Sequence, residues 1–536
     1  MRDLDSTGLI IGDEPQFFFD NSLLEEIQNI TRTLHPPQKI EQNPLLKRDK
    51  PWEHVPDFNS SDYQLWKDTE TGRFHCIYRD LNIDRAKMAR EGGTVIDWKN
   101  SRIRQLYAFS DDGLNWVKPG LGVVHAGKHN TNVIIGSEEF GNVWGFAPID
   151  DPLETDPSRR FKALFFHGPP GFQVSEEAPG AHSRSAHSPD GLHWTIDAEL
   201  PSYGSRGSRL GDSGFPFFDP DTQTYLLNTR HPFMELAPRT RSPHSTALGA
   251  TPVFDAIVGA SNRRAVRRIF QCESRDFRHW SKPRLILAPD PHFDNLDDAL
   301  YAMGTLRIGD GWLGFIQVFH MVSNTSDIQL AYSQDGRTWK RIAAGKPWLT
   351  KGPVGSWDEF QIFVPRVIPQ NDEMLVFYGG ASCHHDWWMV GQQEGLDVEE
   401  AHNLGKVQEG LGMAKMRLNG FVSLGAHRVR EGMLATQPII AAGNKLVING
   451  SCGSDGYIKV EVTDVRDVIL PGRSHERCDP FTGDSTSHLV TWDGDSLIPM
   501  PSPTSAGTVY ASRPEHRRFR FIMRNAELYT FQVISQ

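Results

Sequence analysis

Cysteine is scarce in this chain and poorly placed for a structural role. The five cysteines among 536 residues are odd in number and show no CxxC spacing. A disulfide framework and a zinc ribbon are therefore not indicated. The run His384-His385-Asp386 has ligand types, but no partner cluster at ligand spacing occurs elsewhere. We expect neither a metal ion nor an organic cofactor.

Long apolar runs are also missing. No stretch of about 20 apolar residues occurs, as a membrane-spanning helix would need. The first residues, Met1 to Asp5, lack the charged and apolar regions of a signal peptide. We therefore expect a cytoplasmic protein without a membrane partner, or a secreted one if a leader has been removed.

An excess of positive charge is absent too. The formal net charge is −11, and acidic and basic residues are interspersed. Nucleic-acid binding depends on concentrated Lys and Arg, so a nucleic-acid partner is not expected. The single basic cluster, Arg263-Arg264 with Arg267-Arg268, is explained most simply as a solvated loop.

Aromatic, glycine and proline residues are abundant. The chain holds 48 Gly and 35 Pro, and 10% of its residues are aromatic. Such a composition fits a turn-rich β protein. A chain of 536 residues exceeds one ordinary core, so two domains are predicted.

A turn motif, Ser-x-Asp followed by Gly or Phe and ending in Trp, occurs four times. The copies are residues 110–116, 188–194, 274–280 and 333–339. Each follows an apolar run, and the Asp-Gly step tolerates the positive φ of a tight hairpin. A spacing of roughly 60 to 85 residues suits one propeller blade with long loops.

Five hairpins, each an acidic turn before an aromatic strand, lie between residues 43 and 418. They predict an all-β fold, a five-bladed β-propeller (43–418) followed by a C-terminal β-sandwich (419–536) whose strands alternate inward and outward residues. Asn43 to Glu53 is predicted to open the first blade. The N-terminal segment, 1–42, is predicted to pack on the body and to hold a short helix from Leu23 to Thr31.

Carboxylates stand before several predicted inner strands, which a propeller brings together at one end of its channel. Asp62 precedes the strand at Tyr63, Asp212 lies between Gly211 and Gly214, and Asp298 precedes another inner strand. Glycosidic-bond hydrolysis needs one carboxylic acid and one carboxylate, so these three are candidate catalytic residues. Asp57 is an alternative to Asp62.

Further residues are candidate substrate contacts. Adjacent strand residues point to opposite faces, so only one of Asp297 and Asp298 is expected to face the channel. The candidates, chosen near the same predicted strand starts, are Trp52, Asp297, Tyr301, Asp358, Glu359, Gln361, His384 and His385.

The chain resembles the five-bladed β-propeller glycosidases of the furanosidase superfamily, glycoside hydrolase families 32, 43 and 68. The matching stretches are Asn43 to Glu53, the Ser-x-Asp turns, and Leu418 to Leu424 at the domain junction. The resemblance implies that Asp62 is nucleophile or base, that Asp212 orients the sugar, and that Asp298 donates the proton. The family's Asn-Asp-Pro, Arg-Asp-Pro and Glu-Cys-Pro motifs are absent, so the base could also be Asp358 or Glu359.

Three functions follow from this resemblance. The first is an exo-acting glycoside hydrolase or transglycosidase that cleaves a furanoside and acts on an oligosaccharide partner, with a monomer and a homo-oligomer both left open. The second is an inverting phosphorylase that resembles family 130, whose phosphate site would draw on Arg102, Arg104, Arg206, Arg209, His384 and His385. The third is a glycan-binding propeller without catalysis.

Overall fold

The computed structural model describes residues 8–81, 103–136, 140–168, 182–203, 213–230, 267–387, 398–499 and 516–535. Strands dominate these ranges. The helical elements within them are a single α-helical turn, Glu399–His402, and the 3-10 turns Ser60–Asp62, Pro157–Arg159 and Leu404–Lys406. None of these helices has the length and apolar character needed to cross a bilayer. The predicted all-β fold is confirmed.

Five sheets follow one another along the chain as the blades of a propeller, as predicted, and their strands are antiparallel except where Ser202–Tyr203 pairs with His279–Trp280. Blade 1 consists of Val55–Asp57, Tyr63–Lys67, Phe74–Leu81, Ile103–Ser110 and Val133–Ile135. Blade 2 consists of Asn142–Asp150, Phe161–Gly168, His182–Ser188 and Thr195–Ile196. A small hairpin, His125–Ala126 with His129–Asn130, stands between them.

The other three blades are also built from strands that follow one another along the chain. Blade 3 consists of Gly214–Asp219, Thr224–Thr229, Ile269–Ser274 and His279–Trp280, with Ser202–Tyr203 and Arg284–Leu287 at its edge. Blade 4 consists of Asp298–Ile308, Gly311–His320, Thr325–Ser333 and Lys340–Ile342. Blade 5 consists of Gln361–Ile362, Arg366–Gln370, Glu373–Ala381 and Glu409–Arg417, and its outer edge is Gln38–Lys39 with Leu46–Lys47.

The outer edge of blade 5 comes from the start of the chain. Leu46–Lys47 pairs with Gly410 and Leu411, and Gln38–Lys39 pairs with Ala414 and Lys415. The prediction that Asn43 to Glu53 opens the first blade is therefore wrong for this stretch. Its strand closes the ring, because the chain leaves blade 5 after Arg417 and a fourth strand must come from elsewhere.

Ten further strands form a connected set with its own apolar core. They are Leu9–Ile10, Gln16–Phe17, Leu24–Gln28, Ile30–Leu34, Val422–Ala426, Gly432–Thr436, Ile439–Ile440, Lys445–Thr463, Asp484–Leu489 and His516–Ile534. The two longest, 19 residues each, pair antiparallel. The arrangement of these strands as two facing sheets of a sandwich stays a prediction.

The helix predicted from Leu23 to Thr31 is wrong. Leu24–Gln28 pairs with Gly432–Thr436, and Ile30–Leu34 pairs with Val422–Ala426. Ile27, which a helix would place on one apolar face with Leu23, Leu24 and Ile30, is 43% exposed. Pairing with strands almost 400 residues away outweighs a weak local preference.

The repeated turns share one hydrogen-bond pattern. In the first copy, Asp112 Oδ1 accepts from the N–H groups of Leu114 and Asn115 at 2.8 and 2.7 Å, and Trp116 Nε1 donates to the carbonyl of Gly113. The same bonds occur around Asp190, Asp276 and Asp335. The fourth position has a φ of +62 to +78° in all four copies, which explains Gly in three of them; the third copy has Phe277 there.

We expect Asp112→Ala to lower the free energy of unfolding by about 1–2 kcal/mol, because two backbone N–H groups lose their acceptor. Urea unfolding measures this change. Asp111→Ala is the matched control, since Asp111 is exposed and pairs with Arg73 at the surface, and it should change stability by less than about 0.5 kcal/mol. Equal losses in the two variants would contradict the role given to the turn.

The pH dependence of unfolding, compared between the wild type and Asp112→Ala, gives a second test of this turn. The hydrogen bond from the Asn115 N–H, with others in the turn, lowers the pKa of Asp112. The contribution of Asp112 to the free energy of unfolding is therefore complete above its unfolded pKa of about 4, and it is lost as the pH falls below that value toward the lower folded pKa. The stability gap between the wild type and Asp112→Ala should narrow below pH ~4.

Candidate active site

The first strands of all five blades begin at one end of the propeller, which we call the mouth. Register pairs there include Asp57 with Arg79, Asp298 with His320, and Gln361 with Ala381. The Ser-x-Asp turns lie at the opposite end, because each follows a third strand that ends where the second strand begins. The sequence prediction that acids before first strands gather at one end therefore agrees with the topology.

Residues 58–62 form an insertion in the first strand of blade 1. Asp57 pairs with Arg79 and Tyr63 pairs with Tyr78, so these five residues have no partner in the ladder. They loop inward to the propeller axis. Gly379 of blade 5 packs so closely on the carbonyl of Phe58 that a Cβ there would collide with it.

The insertion is bonded to the other four blades. Ser60 Oγ donates to Gln317 Oε1 of blade 4, and Ser61 Oγ lies 3.4 Å from Ser213 Oγ, which directly precedes blade 3. In blade 2, the N–H of Gly145 donates to Asp62 Oδ1 at 2.6 Å. From blade 5, Arg366 donates to the carbonyl of Ser60 at 3.3 Å. These contacts converge on one short segment, so it lies at the centre of the ring.

Bulges at the mouth direct groups toward this centre. In blade 2 the register shifts between Trp144 and Ala147, and Gly145 there has a φ of +62°. In blade 4 it shifts around Tyr301, between Leu300 and Ala302. Bulges release backbone N–H groups and turn side chains out of the regular alternation, which explains how Gly145 can cap a carboxylate.

Asp62 is held as an ion-paired carboxylate. Its Oδ2 lies 2.6 Å from Arg79 Nη1, and its side chain is only 8% exposed. Arg79 also binds Asp57, whose other oxygen accepts from the N–H of Asn59 at 2.7 Å. Burial lowers the pKa of Arg79, but Asp57 and Asp62 together raise it above its ordinary value. One guanidinium therefore fixes two carboxylates.

Glu409 is the first residue of the strand Glu409–Arg417 in blade 5, and it joins the group formed by Asp57, Asp62 and Arg79. Burial raises the pKa of Glu409 well above its ordinary value, and the charge of Asp57 raises it further. Its Oε2 is buried and has no hydrogen-bond partner among the described residues. Sequence reasoning missed Glu409, because a lone acid at the start of a third strand gives no motif.

Asp298 lies at the mouth in blade 4, but its oxygens are occupied. Oδ1 accepts from His320 Nδ1 at 2.5 Å, and Oδ2 accepts from the N–H of Asn295 at 2.8 Å. His320 Nε2 donates to Asp327 at 3.1 Å. Burial lowers the pKa of His320, but the hydrogen bonds that its ring donates to both carboxylates, together with their charges, outweigh burial and raise the pKa to about 10.

Tyr301 and His385, two predicted substrate contacts, lie together. His385 Nε2 is 2.9 Å from the Tyr301 hydroxyl, and His385 Nδ1 is 2.8 Å from Asp386 Oδ1. Asn324 donates to Asp386 Oδ2 at 2.6 Å. The group joins blade 4 to the loop of blade 5 that follows the strand Glu373–Ala381.

The other predicted residues lie in several places. Gln361 is buried and donates to the carbonyl of Asn324 at 2.7 Å; Asp297 caps the N–H of Val322; His384 pairs with Glu400. Glu359 accepts from Gly355 in its own loop. Two lie away from the axis: Trp52 donates to Asn132 at the outer edge of blade 1, and Asp358 pairs with Lys39 at the outer edge of blade 5. Asp212, with Arg102, Arg206 and Arg209, lies outside the described residues.

In the part of the chain that the structure describes, no group of three or more His, Cys, Asp or Glu side chains is arranged to hold a metal ion. The described side chains at the mouth include carboxyl groups, guanidiniums and imidazoles.

No protein-family profile and no curated protein sequence matches the chain. Solved structures do. One is a glycoside hydrolase, with 15% identity, 71% of this chain and 92% of the other covered, and a TM-score of 0.42. A β-1,2-mannobiose phosphorylase from Listeria innocua has 13% identity over 73% of this chain and 97% of its own, with a TM-score of 0.42.

An N-acetylgalactosamine deacetylase from F. plautii, solved with blood group B trisaccharide, has 17% identity over 72% of this chain and 96% of its own, with a TM-score of 0.40. Likeness at this level says nothing about the reaction of this chain. The reaction has to follow from its own residues.

The His320 ion pairs should make stability depend on alkaline pH. Because the pKa of His320 is raised to about 10, its contribution is complete below the unfolded value of about 6.5 and is lost as the pH rises through about 10. The stability advantage of the wild type over His320→Gln, measured by urea unfolding, should shrink between pH 7 and 10.

His488→Gln is the control for this trend. Burial lowers the pKa of His488, so it does not titrate in that range and its variant should show a constant gap to the wild type. A pH-independent gap for His320→Gln as well would show that His320 carries no charge in the folded chain.

Proposed function

We propose that the chain is a glycoside hydrolase that removes a terminal furanose-type sugar at the mouth of the propeller. The observation that supports this most is that two unlike carboxyl groups there, Asp62 and Glu409, both interact with Arg79. Arg79 and the Gly145 N–H stabilise the carboxylate form of Asp62, whereas burial and the charge of Asp57 raise the pKa of Glu409 well above its ordinary value. Neighbouring carboxyl groups in opposite protonation states are the working pair of glycosidases.

Each group has a defined role in this proposal. Glu409 gives its proton to the leaving oxygen, and the Asp57–Glu409 pair then carries an additional negative charge that Arg79 stabilises. Asp62 faces the positive charge that develops at the anomeric carbon, either as nucleophile or as the base for a water molecule. Its oxygen is preorganised by the Gly145 N–H, so little reorganisation is needed.

Of the other two predicted catalytic acids, Asp298 receives a new role and Asp212 keeps its predicted one. Both oxygens of Asp298 are engaged, so we assign it to positioning His320 rather than to proton donation. Asp212 keeps its predicted role of orienting the sugar, as a proposal. The choice of a furanose rests on the resemblance of the turns and domain junction to furanosidases.

Phosphorolysis is the second candidate. Of the cations first considered for phosphate, Arg104 is occupied by Asp80 and the carbonyl of Trp52, and His384 by Glu400. The observation that favours this candidate is the concentration of positive charge near Tyr301, because the guanidinium groups of Arg230 and Arg267 both lie against its ring. Dependence of turnover on added phosphate separates it from hydrolysis.

We expect Asp62→Asn to reduce kcat by about a hundred- to a thousandfold, because a charge that stabilises the transition state is lost while the shape is kept. The measurement is release of sugar from a panel of aryl arabinofuranosides, fructofuranosides and galactofuranosides. Glu373→Gln is the control, since Glu373 pairs with Lys415 at the opposite end of blade 5. Normal turnover by Asp62→Asn, or glycan binding without turnover by the wild type, would contradict the proposal.

Glu409→Gln should separate proton donation from the rest of catalysis. Turnover of substrates whose leaving group needs protonation should fall strongly, and turnover of a dinitrophenyl glycoside should change far less. The alkaline limb of the pH profile for kcat/KM should also disappear. If both substrate types lose activity equally and the pH profile is unchanged, Glu409 is not the proton donor.

A further inference from the structure

A cleft opens between blade 5 and the C-terminal strands, at the opposite end of the propeller from the mouth. Its volume is about 440 Å³. Three parts of the chain line it: the segment that crosses from the C-terminal strands to blade 5, the end of the strand Glu409–Arg417, and Tyr529. Sites for small ligands commonly have volumes of about 300–1,000 Å³ and lie at such junctions. We call this space the junction cleft.

The crossing segment forms one wall of the cleft. The N–H of His35 donates to the carbonyl of Phe421 at 3.0 Å, which ties the segment to the C-terminal strands. Pro36 and Pro37 follow, and Gln38–Lys39 then pairs with blade 5. Proline fixes its own φ, so a crossing made of two prolines is stiff. This wall is therefore anchored at both of its ends.

Arg417 ties the two sides of the cleft together. Its guanidinium donates to Asn449 Oδ1 and to the carbonyl of Ser485, both at 2.6 Å, and it pairs with Asp484. All three acceptors belong to the C-terminal strands. The guanidinium carbon also lies 4.8 Å from the centre of the Tyr529 ring. A ligand would meet walls that are already in place, which lowers the entropic cost of binding.

The charges that line the cleft are paired. Lys39 Nζ lies 2.5 Å from Asp358 Oδ2, and Lys415 Nζ lies 2.8 Å from Glu373 Oε2. Burial lowers the pKa of His35, so its ring is mostly uncharged at neutral pH. Such a lining offers hydrogen-bond donors and acceptors side by side, but it has no large excess of either charge. It suits a polar ligand without net charge.

We propose that the junction cleft binds a neutral oligosaccharide segment. A sugar hydroxyl both donates and accepts hydrogen bonds, so it fits a wall of paired charges to which Gln38 adds an amide. Pro36, Ile40 and Met416 add apolar surface to the same lining, which suits the C–H faces of sugar rings. Polar groups within a partly apolar lining are the combination that a neutral sugar requires.

The cleft is a site of its own rather than an extension of the mouth. Lys415 lies six residues beyond Glu409 in the same strand. Strands rise about 3.3 Å per residue, so the two residues are about 20 Å apart and a short glycoside cannot reach both. The inference goes beyond the proposed function, because binding in the cleft does not require cleavage at the mouth.

Calorimetry on the full chain carrying Asp62→Asn tests the proposal, since we expect little turnover of the probes in this background. The probes are nystose and α-1,5-arabinotetraose, which are neutral, and trigalacturonate, which is anionic. We expect a neutral tetrasaccharide to bind with a Kd of about 1 mM or tighter. Gln38→Ala and Lys415→Met together should weaken that binding by about tenfold or more, because each removes a hydrogen-bonding group from the wall.

Lys340→Met in the same background is the matched control. Lys340 pairs with Asp20 at 3.1 Å on the last strand of blade 4, so its loss removes a similar ion pair outside the cleft, and binding should not change. Gln38 is exposed and the Lys415 side chain is 43% exposed, so both substitutions should leave the fold intact. Melting temperatures check this for each variant.

Weaker binding in the two cleft variants, with Lys340→Met unaffected, supports the proposal. Binding that survives both cleft substitutions lies elsewhere and overturns it, as does the failure of both neutral probes to bind. Preferential binding of trigalacturonate that weakens with added salt identifies an anion site and overturns the assignment to a neutral ligand. Turnover of the aryl furanosides is measured separately, so a failure of the cleft and a failure of the proposed hydrolase are told apart.

Discussion

The propeller depends on the hydrogen bonds that residues 58–62 make at its axis. This one segment of blade 1 contacts Gly145 in blade 2, Ser213 before blade 3, Gln317 in blade 4 and Arg366 in blade 5. Buried polar groups need partners, and here each blade supplies one. The position of Asp62 therefore follows from the closure of the whole ring rather than from its local turn.

The polar network continues outward from this segment. Gln317 donates to Ser326 at 3.3 Å, Ser326 donates to Gln361 at 2.9 Å, and Gln361 reaches the carbonyl of Asn324. Asn324 in turn holds Asp386 beneath His385. The acidic group around Asp62 and the pair of Tyr301 and His385 are thus supported by the same buried chain of hydrogen bonds. Such networks specify one arrangement when every member is satisfied.

The blades could be predicted from the sequence because their turns are local. In each turn an Asp caps two N–H groups within three residues, so the turn has a short sequence motif. Four copies of this motif in one chain indicated the repeat. The strand at Leu46 and the helix proposed at Leu23 were misread, since their partners lie about 365 to 410 residues away in the chain. Ring closure by the first strands of the chain has no local signal.

The site was predictable only in part, for the same reason. Asp62 and Asp298 stand before first strands, where topology alone directs them to the mouth. Arg79, Glu409 and Arg230 lie at the ends or beginnings of other strands and acquire their meaning from the residues that folding places beside them. The raised pKa of Glu409, for example, depends on burial and on Asp57, which is 352 residues earlier.

The most direct test of this account is a crystal structure of the chain with a furanose-shaped iminosugar, whose cationic nitrogen mimics the charge that develops at the anomeric carbon. We predict that the ring binds at the mouth, with its nitrogen about 3 Å from a carboxylate oxygen of Asp62. Binding at the opposite end of the propeller or on the C-terminal strands, with none at the mouth, would contradict it.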